Sequence, residues 1–249
     1  MSVRADTLSP HAPHFPDLNV ISIIIPAANE AAQLPATFAS LRAQGEPYEA
    51  LVVDAQSTDR TRAVAQEFGA RVIASVRRQR AAQMNAGARA ARGEFLLFLH
   101  ADTRLAPGAL TNIRSAFRDS ATLGGGFSRR YDAPSPVLRI TCALAEVRTR
   151  CLGWFLGDQA MFVRRSAFAE LGGFREWDIF EDLDFSRRLA RAGRVVTLRP
   201  PVISAGRRFA TRGALRTTWS DLGLTIRHLT GDGSAADGKA HAQPIALPS

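Results

Sequence analysis

His100 and Asp102 stand two residues apart just after Phe95-Leu96-Leu97-Phe98-Leu99, an apolar run that ends abruptly in polar sequence. In an extended chain alternate residues share a side, so an imidazole and a carboxylate here can converge on one cation or phosphate. Further acids follow other apolar runs or open helical stretches: Asp54 with Asp59, and the pair Glu181-Asp182. Acids at helix starts are also ordinary dipole partners. Taken together, they describe a site with one carboxylate for a cation and another, held apart, for proton transfer. A divalent ion on a diphosphate keeps much of its water and takes one or two protein carboxylates, so Asp102 suffices for that role.

Holding such groups requires a rigid frame, and the pattern supplies one. β-Branched or apolar runs at 20–25, 50–53, 71–74 and 94–99 predict buried strands, separated by helical stretches at 61–68 and 80–91 and by one opening at Ala27-Ala28-Asn29-Glu30 that carries Leu34, Phe38 and Leu41. Asn29 is read as the N-cap of that helix and Glu30 as its first-turn acid. Strands alternating with helices imply right-handed crossovers and a mostly parallel sheet flanked by helices, an α/β fold with its ligands at the carboxyl ends of the strands. Beyond Pro107 the order changes, with helices expected at 109–118, 137–151, 166–171, 180–193 and 217–229. Gly124-Gly125-Gly126-Phe127-Ser128 reads as a bent stretch before a strand, 160–163 as a strand, and 195–198 and 202–204 as two short ones. Residues 1–19 and 231–249 read as a disordered leader and tail around one domain, 20–230, whose halves divide near 105.

The formal net charge is +9 and Lys239 is the only lysine, so the chain's positive charge is carried by arginine, which grips phosphate in a bidentate way. Charge alone does not choose among nucleotide, nucleic acid and lipid head group. An Arg-rich nucleic-acid-binding protein is one reading, but no recognisable module accompanies the charge. There is no Gly-x-Gly-x-x-Gly after the first strand, no Walker A sequence and no His-Glu-x-x-His, and the five histidines are too scattered for a zinc cage. Cys142 and Cys151 are nine residues apart on one expected helix and point to opposite sides, which suits a reducing cytosol. No apolar run approaches the ~20 residues of a membrane span, and the first residues lack a signal-peptide core.

In order, these motifs resemble the family 2 glycosyltransferases, whose fold is GT-A. The family's Pro-x-x-Asn-Glu stands as Pro26-Ala27-Ala28-Asn29-Glu30, and its Val-Asp-x-x-Ser-x-Asp-x-Thr as Val53 to Asp59 with Thr61. Arg80, Asn85 and Gly87 match its third helix, His100-Ala101-Asp102 stands where Asp-x-Asp is usual, and Glu181-Asp182 matches its Glu-Asp. More closely, the chain resembles a bacterial subgroup named as selenium- or radical-SAM-associated transferases, through His-Ala-Asp, Gly157-Asp158-Gln159 and Gly206-Arg207-Arg208-Phe209.

The resemblance implies an inverting transfer of a sugar from a nucleotide-diphosphate donor, with UDP expected, to a hydroxyl acceptor that is a small molecule or lipid-linked. Pro26, Asn29, Glu30, Asp54, Ser57, Asp59, Arg80, Asn85, Arg207 and Arg208 would serve the nucleotide sugar. Asp102, with His100 as a softer ligand or a direct diphosphate contact, would hold Mn2+ or Mg2+. Asp182 would be the general base, with Glu181 orienting it or raising its pKa, and Asp158 and Gln159 would face the acceptor. A nucleotidyltransferase on a related sheet is the nearest alternative, but it is expected to carry a Gly-rich phosphate loop where Pro26-Ala27-Ala28 stands. A cytoplasmic enzyme is implied, and the basic, partly apolar stretch with Arg216, Trp219, Leu222 and Arg227 offers a peripheral contact with the inner face of a membrane.

Overall fold

Ile21, Ile23 and Ile25 point to one side of the first strand and Ile24 to the other, and all four are fully buried in the computed structural model, which describes residues 17–133 and 135–205. Burying each contributes on the order of 1.5–3 kcal/mol. That strand, β1 (Asp17–Ala27), is paired in parallel with β2 (Tyr48–Asp54) on one side and β4 (Gly93–Phe98) on the other. It begins inside the stretch read as a disordered leader, where Asp17 is in register with Gly93.

The two faces of the sheet build two cores. Ile21, Ile23 and Ile25 meet Leu34, Phe38 and Leu41 of α1 (Leu34–Arg42), whereas Ile24 meets Ala81, Met84 and Ala88 of α3 (Arg80–Ala90). Gly87 lets α3 lie close, because a Cβ there would run into Ile24. The remaining units of this half are α2 (Thr61–Glu67), closed by Gly69 at φ +81°, and β3 (Arg71–Ala74), parallel to β2. α1 starts later than its sequence suggested. Asn29 does not cap it: its φ of 59° lies in the left-handed region, and the chain turns through Glu30 to Gln33 before the helix begins at Leu34.

The second half contributes β5 (Thr103–Arg104), α4 (Ala109–Ala116), β6 (Thr122–Tyr131), α5 (Pro136–Leu152), β7 (Phe162–Arg164), α6 (Arg165–Glu170), α7 (Glu181–Ala192) and β8 (Arg194–Ser204). The eight strands form one sheet in the order β3-β2-β1-β4-β7-β6-β8-β5, mixed rather than wholly parallel: β7 is antiparallel to both β4 and β6, and β5 to β8. Because β7 reverses twice over, β6 and β8 again run with β4, and their carboxyl ends reach the same edge as His100.

Two expectations change here. Gly124-Gly125-Gly126 is not a bend but the inside of β6, where a Cβ on Gly125 would collide with the carbonyl of Val196 and one on Gly124 with that of Phe162. The stretches 195–198 and 202–204 are one strand, with a register shift opposite Phe127 and Arg129. Arg207, Arg208, the segment 217–229 and the tail 231–249 lie outside the described residues.

Candidate active site

At the carboxyl ends of β1 and β2 two loops are stitched together. Asn29 donates its backbone N–H to Ser57 Oγ at 2.8 Å, and its side-chain oxygen accepts from the Thr58 N–H at 2.9 Å. Glu30 N–H donates to Thr61 Oγ1 at 2.8 Å. Asp59 accepts from Ala31 N–H at 3.1 Å and from Thr61 N–H at 2.9 Å, so it ties the loops and starts α2. Its slight burial would raise its pKa, but these hydrogen bonds outweigh that and hold it below the usual carboxylate range.

Asp54 sits at the floor of this pair, fully buried. Oδ2 accepts from Ser57 N–H at 3.3 Å and Arg62 Nε at 2.5 Å, whereas Oδ1 is buried with no donor among the described residues. Pro26, next to it across β1, is in register with Val53 and half-buried. Gln83, which sequence reasoning overlooked, holds the two strand ends: its amide donates to the carbonyls of Ala27 at 3.0 Å and Val53 at 2.7 Å. The signal was a polar residue on the buried face of an alanine-rich helix.

Arg80 opens α3, half-exposed, with Nη1 3.4 Å from Glu181 Oε1. Asn85, expected at the nucleotide, is engaged within the protein. Both ends of its buried amide are taken by Phe174, its nitrogen donating to the carbonyl at 2.8 Å and its oxygen accepting from the N–H at 3.0 Å.

The His-Ala-Asp turn is fixed through its backbone. Ala101 O accepts from Thr37 Oγ1 at 2.7 Å, His100 O from Thr103 N–H at 3.0 Å and Asp102 O from Ala205 N–H at 3.2 Å. His100 Nε2 is buried with no partner among the described residues and lies against Gly157, on which a Cβ would come within 2.6 Å of that nitrogen and 3.2 Å of Asp182 Oδ2. Burial holds the imidazole below its ordinary pKa and Arg80 adds to this, against Asp158, Asp102 and Asp182; the ring is neutral at pH 7.

Asp182, in the first turn of α7, accepts at Oδ2 from Gly157 N–H at 2.6 Å and at Oδ1 from Leu183 N–H at 2.7 Å. Glu181, beside it, is 2% exposed, and burial first and Asp182 second push its carboxyl up to about 7, with Arg80 opposing. The like-charge effect expected of this pair therefore raises Glu181 itself.

Asp158 and Gln159, expected to face an acceptor, are held from within. Arg129 Nη1 donates to Asp158 Oδ1 at 2.5 Å and also to Oδ2, and Tyr131 OH donates to Oδ2 at 2.7 Å. Burial alone would raise Asp158, but Arg129 and Tyr131 outweigh it and hold the carboxyl low. Gln159 is fully buried; it donates to Phe127 O at 3.1 Å and accepts from Arg148 Nη2 at 2.7 Å and Leu156 N–H at 3.1 Å. Burial and the nearby Arg129 lower Arg148 to about 10, which leaves it protonated at pH 7. Arg129, Tyr131 and Arg148 were not singled out from sequence, since each looks like an ordinary basic or aromatic residue until β6 and α5 bring it to Asp158.

Residues 22–172 match the sequence model of Glycosyl transferase family 2. The chain belongs to that family. Among relatives of this family 2 member, an uncharacterized glycosyltransferase of Mycobacterium tuberculosis is 32% identical over 111 residues, covering 45% of this chain and 50% of that protein. The 4,4'-diaponeurosporenoate glycosyltransferase of Staphylococcus haemolyticus is 48% identical over 52 residues, 21% of this chain and 14% of its own. The first of these matches spans about half the length of the relative. Among solved structures, the mannosyltransferase PcManGT of Pyrobaculum calidifontis, in complex with GDP-Man and Mn2+, matches with a TM-score of 0.60 at 23% identity over 80% of this chain and 60% of that one. S. aureus TarS 1-349 in complex with UDP-GlcNAc matches with a TM-score of 0.57 at 20% identity over 74% and 58%. These likenesses show the GT-A fold.

The residues of this family 2 member fit a metal of an open kind. Among the described residues no three His, Cys, Asp or Glu side chains converge as a closed cage. One carboxylate suffices where a diphosphate and water complete the shell, and a neutral imidazole beside it suits Mn2+ better than Mg2+. His100 Nε2, buried without a partner among the described residues, faces the space that Gly157 leaves free of a side chain.

Proposed function

We propose that the protein is an inverting hexosyltransferase that moves a sugar from a nucleotide-diphosphate donor, UDP-linked in the first instance, to a hydroxyl acceptor, with Asp182 as general base. The observation that carries this reading is the placement of Asp182: its carboxylate is fixed by the Gly157 N–H and its own helix start, beside His100, at the edge where the strands end. The acceptor hydroxyl gives its proton to Asp182 as its oxygen bonds to the anomeric carbon. The bond from that carbon to the diphosphate oxygen breaks, the nucleotide diphosphate leaves, and direct displacement inverts the centre. Arg80 stands toward the diphosphate, and the unpartnered Asp54 Oδ1 offers an acceptor for a base N–H. Asp102 would hold Mn2+ or Mg2+, which stabilises the charge growing on the departing diphosphate. Complexes of GDP-Man with Mn2+ and of UDP-GlcNAc in the structural neighbours support this class of donor.

The division near residue 105 into a nucleotide-sugar half and an acceptor half follows from the same reading, as does membership of the selenium- or radical-SAM-associated subgroup, supported by Gly157-Asp158-Gln159 and Gly206-Arg207-Arg208-Phe209. No helix among the described residues is long and apolar enough to cross a membrane, and Cys142 and Cys151 are free thiols, in keeping with work in the cytoplasm or at its membrane face. The test is thermal stabilisation by UDP with Mn2+, followed by a panel of nucleotide sugars scored for donor hydrolysis. Asp182→Asn is expected to keep the thermal shift and lose transfer; transfer at the wild-type rate in that variant removes Asp182 as the base.

A further inference from the structure

A cavity of about 650 Å3 opens between the end of β6, the first turns of α5 and the Arg199–Pro201 part of β8. Its volume lies in the range of small-ligand sites. Its charged lining is Arg129, Arg130, Arg139 and Arg199 against Asp132 and Glu146. The two acids are already engaged, Asp132 by Arg104 at 3.2 Å and Glu146 by Arg150 at 2.8 Å and by Arg199. Arg130 and Arg139 are exposed and have no acidic partner among the described residues. Arg129 is nine-tenths buried, and although Nη1 is bonded to Asp158 and the Cys142 thiol lies near the guanidinium, its Nε is buried with no acceptor among the described residues. An unpaired buried donor beside uncompensated guanidinium groups costs free energy unless an anion takes it up.

A chain of contacts links the wall of this cavity to the general base of the proposed reaction, on which this inference rests. Arg129 holds Asp158; Asp158 follows Gly157; and Gly157 N–H is bonded to Asp182 Oδ2. Since β6 and β8 end at the edge where β4 ends, the cavity and Asp182 share that edge.

We infer that this cavity is the acceptor subsite and takes an anionic group, a phosphate ester carried by the hydroxyl compound that receives the sugar. Arg129 Nε, Arg130 and Arg139 bind the anion, and the acceptor hydroxyl reaches Asp182. Ile140, Leu144 and Val147 lie exposed along α5 beside it, so a phosphate displayed on a lipid is tested together with a soluble one.

The experiment uses the full chain saturated with UDP and Mn2+, so that the donor site is filled. Glycerol 3-phosphate, with glycerol as the neutral control, is titrated by calorimetry, and phosphatidic acid in phosphatidylcholine vesicles is compared with phosphatidylcholine alone by sedimentation. The expected result is binding in one anionic arm, absent from its neutral control and weakened at least about 5-fold in Arg130→Gln/Arg139→Gln, with UDP affinity unchanged. The responding arm identifies the carrier of the phosphate. Binding in neither arm, binding unchanged in the double variant, or phosphate binding only when UDP is omitted overturns the inference while leaving the donor reading intact. Failure to bind UDP at all sinks the donor reading instead.

Discussion

Gly157 and Asp182 are joined by a 2.6 Å hydrogen bond from the backbone N–H of the glycine to Oδ2, and the side-chain space that Gly157 leaves empty is faced by His100 Nε2. One residue thus sets the distance between the turn ending β4 and the first turn of α7. Gly157→Ala puts a methyl group 2.6 Å from that nitrogen, and either the imidazole or the carboxylate must move. Misplacing a reacting group by about 1 Å costs up to about 100-fold in rate, and overpacking costs about 1–3 kcal/mol. Transfer is expected to fall about 10–100-fold with UDP affinity held within about 2-fold. Equal transfer rates in wild type and variant would show that this spacing is not critical.

Glu181 makes stability depend on pH in a direction opposite to most carboxylates. Its ordinary pKa is about 4.3, whereas burial and Asp182 hold it at about 7 in the folded chain. Between these values the folded chain binds the additional proton, so the contribution is fully present below the unfolded pKa and is lost as pH rises through the folded one. The loss is on the order of 3 kcal/mol. Glu181→Gln removes this titration. Its melting temperature should match that of wild type near pH 4.5 and exceed it at pH 8; a gap that does not change with pH contradicts the assignment.

The first half was legible because its inner strands β1, β2 and β4 are largely buried and its helices carry apolar residues at regular spacing; 80–91 and the edge strand 71–74, none of whose residues is buried, were read within one residue of the observed bounds. The loop after β1 was not. Asn29 followed by Glu30 fits a helix start locally, yet bonds from Ser57, Thr58 and Thr61, about 30 positions away, hold the chain in a turn instead. Such partners leave no mark on the local pattern. The glycines of β6 misled for the same reason, since what they accommodate is the backbone of β7 and β8. Among the candidate site residues, residue type singled out Asp54, Asp102 and Asp182, whereas the direction each side chain takes was invisible. Asn85, Asp59 and Gln159 fit the motifs and have their polar atoms engaged within the protein.

Asn85→Ala separates those two kinds of role. Removing the amide leaves the N–H and carbonyl of Phe174 buried without their partner, and the expected destabilisation is about 2–4 kcal/mol. Urea unfolding measures it. UDP affinity of the folded fraction should be unchanged; a loss of 10-fold or more at undiminished stability would return Asn85 to the nucleotide site.

Asp54 gives the sharpest statement about the donor base. Its Oδ2 is occupied by Ser57 and Arg62, while Oδ1 faces no donor among the described residues, at a cost of about 1–3 kcal/mol that a ligand N–H can offset. Uracil and guanine present a ring N–H to such an oxygen, and cytosine presents a bare nitrogen at the corresponding place. Wild type should therefore bind UDP at least about 10-fold more tightly than CDP, equivalent to ~1.4 kcal/mol. Asp54→Asn removes the charge and supplies a donor of its own, so UDP affinity should fall and the UDP/CDP ratio should contract toward one, read by calorimetry on both nucleotides. A variant that still discriminates UDP from CDP as wild type does would mean that Oδ1 meets no base and that the orphaned oxygen is an internal cost of the fold.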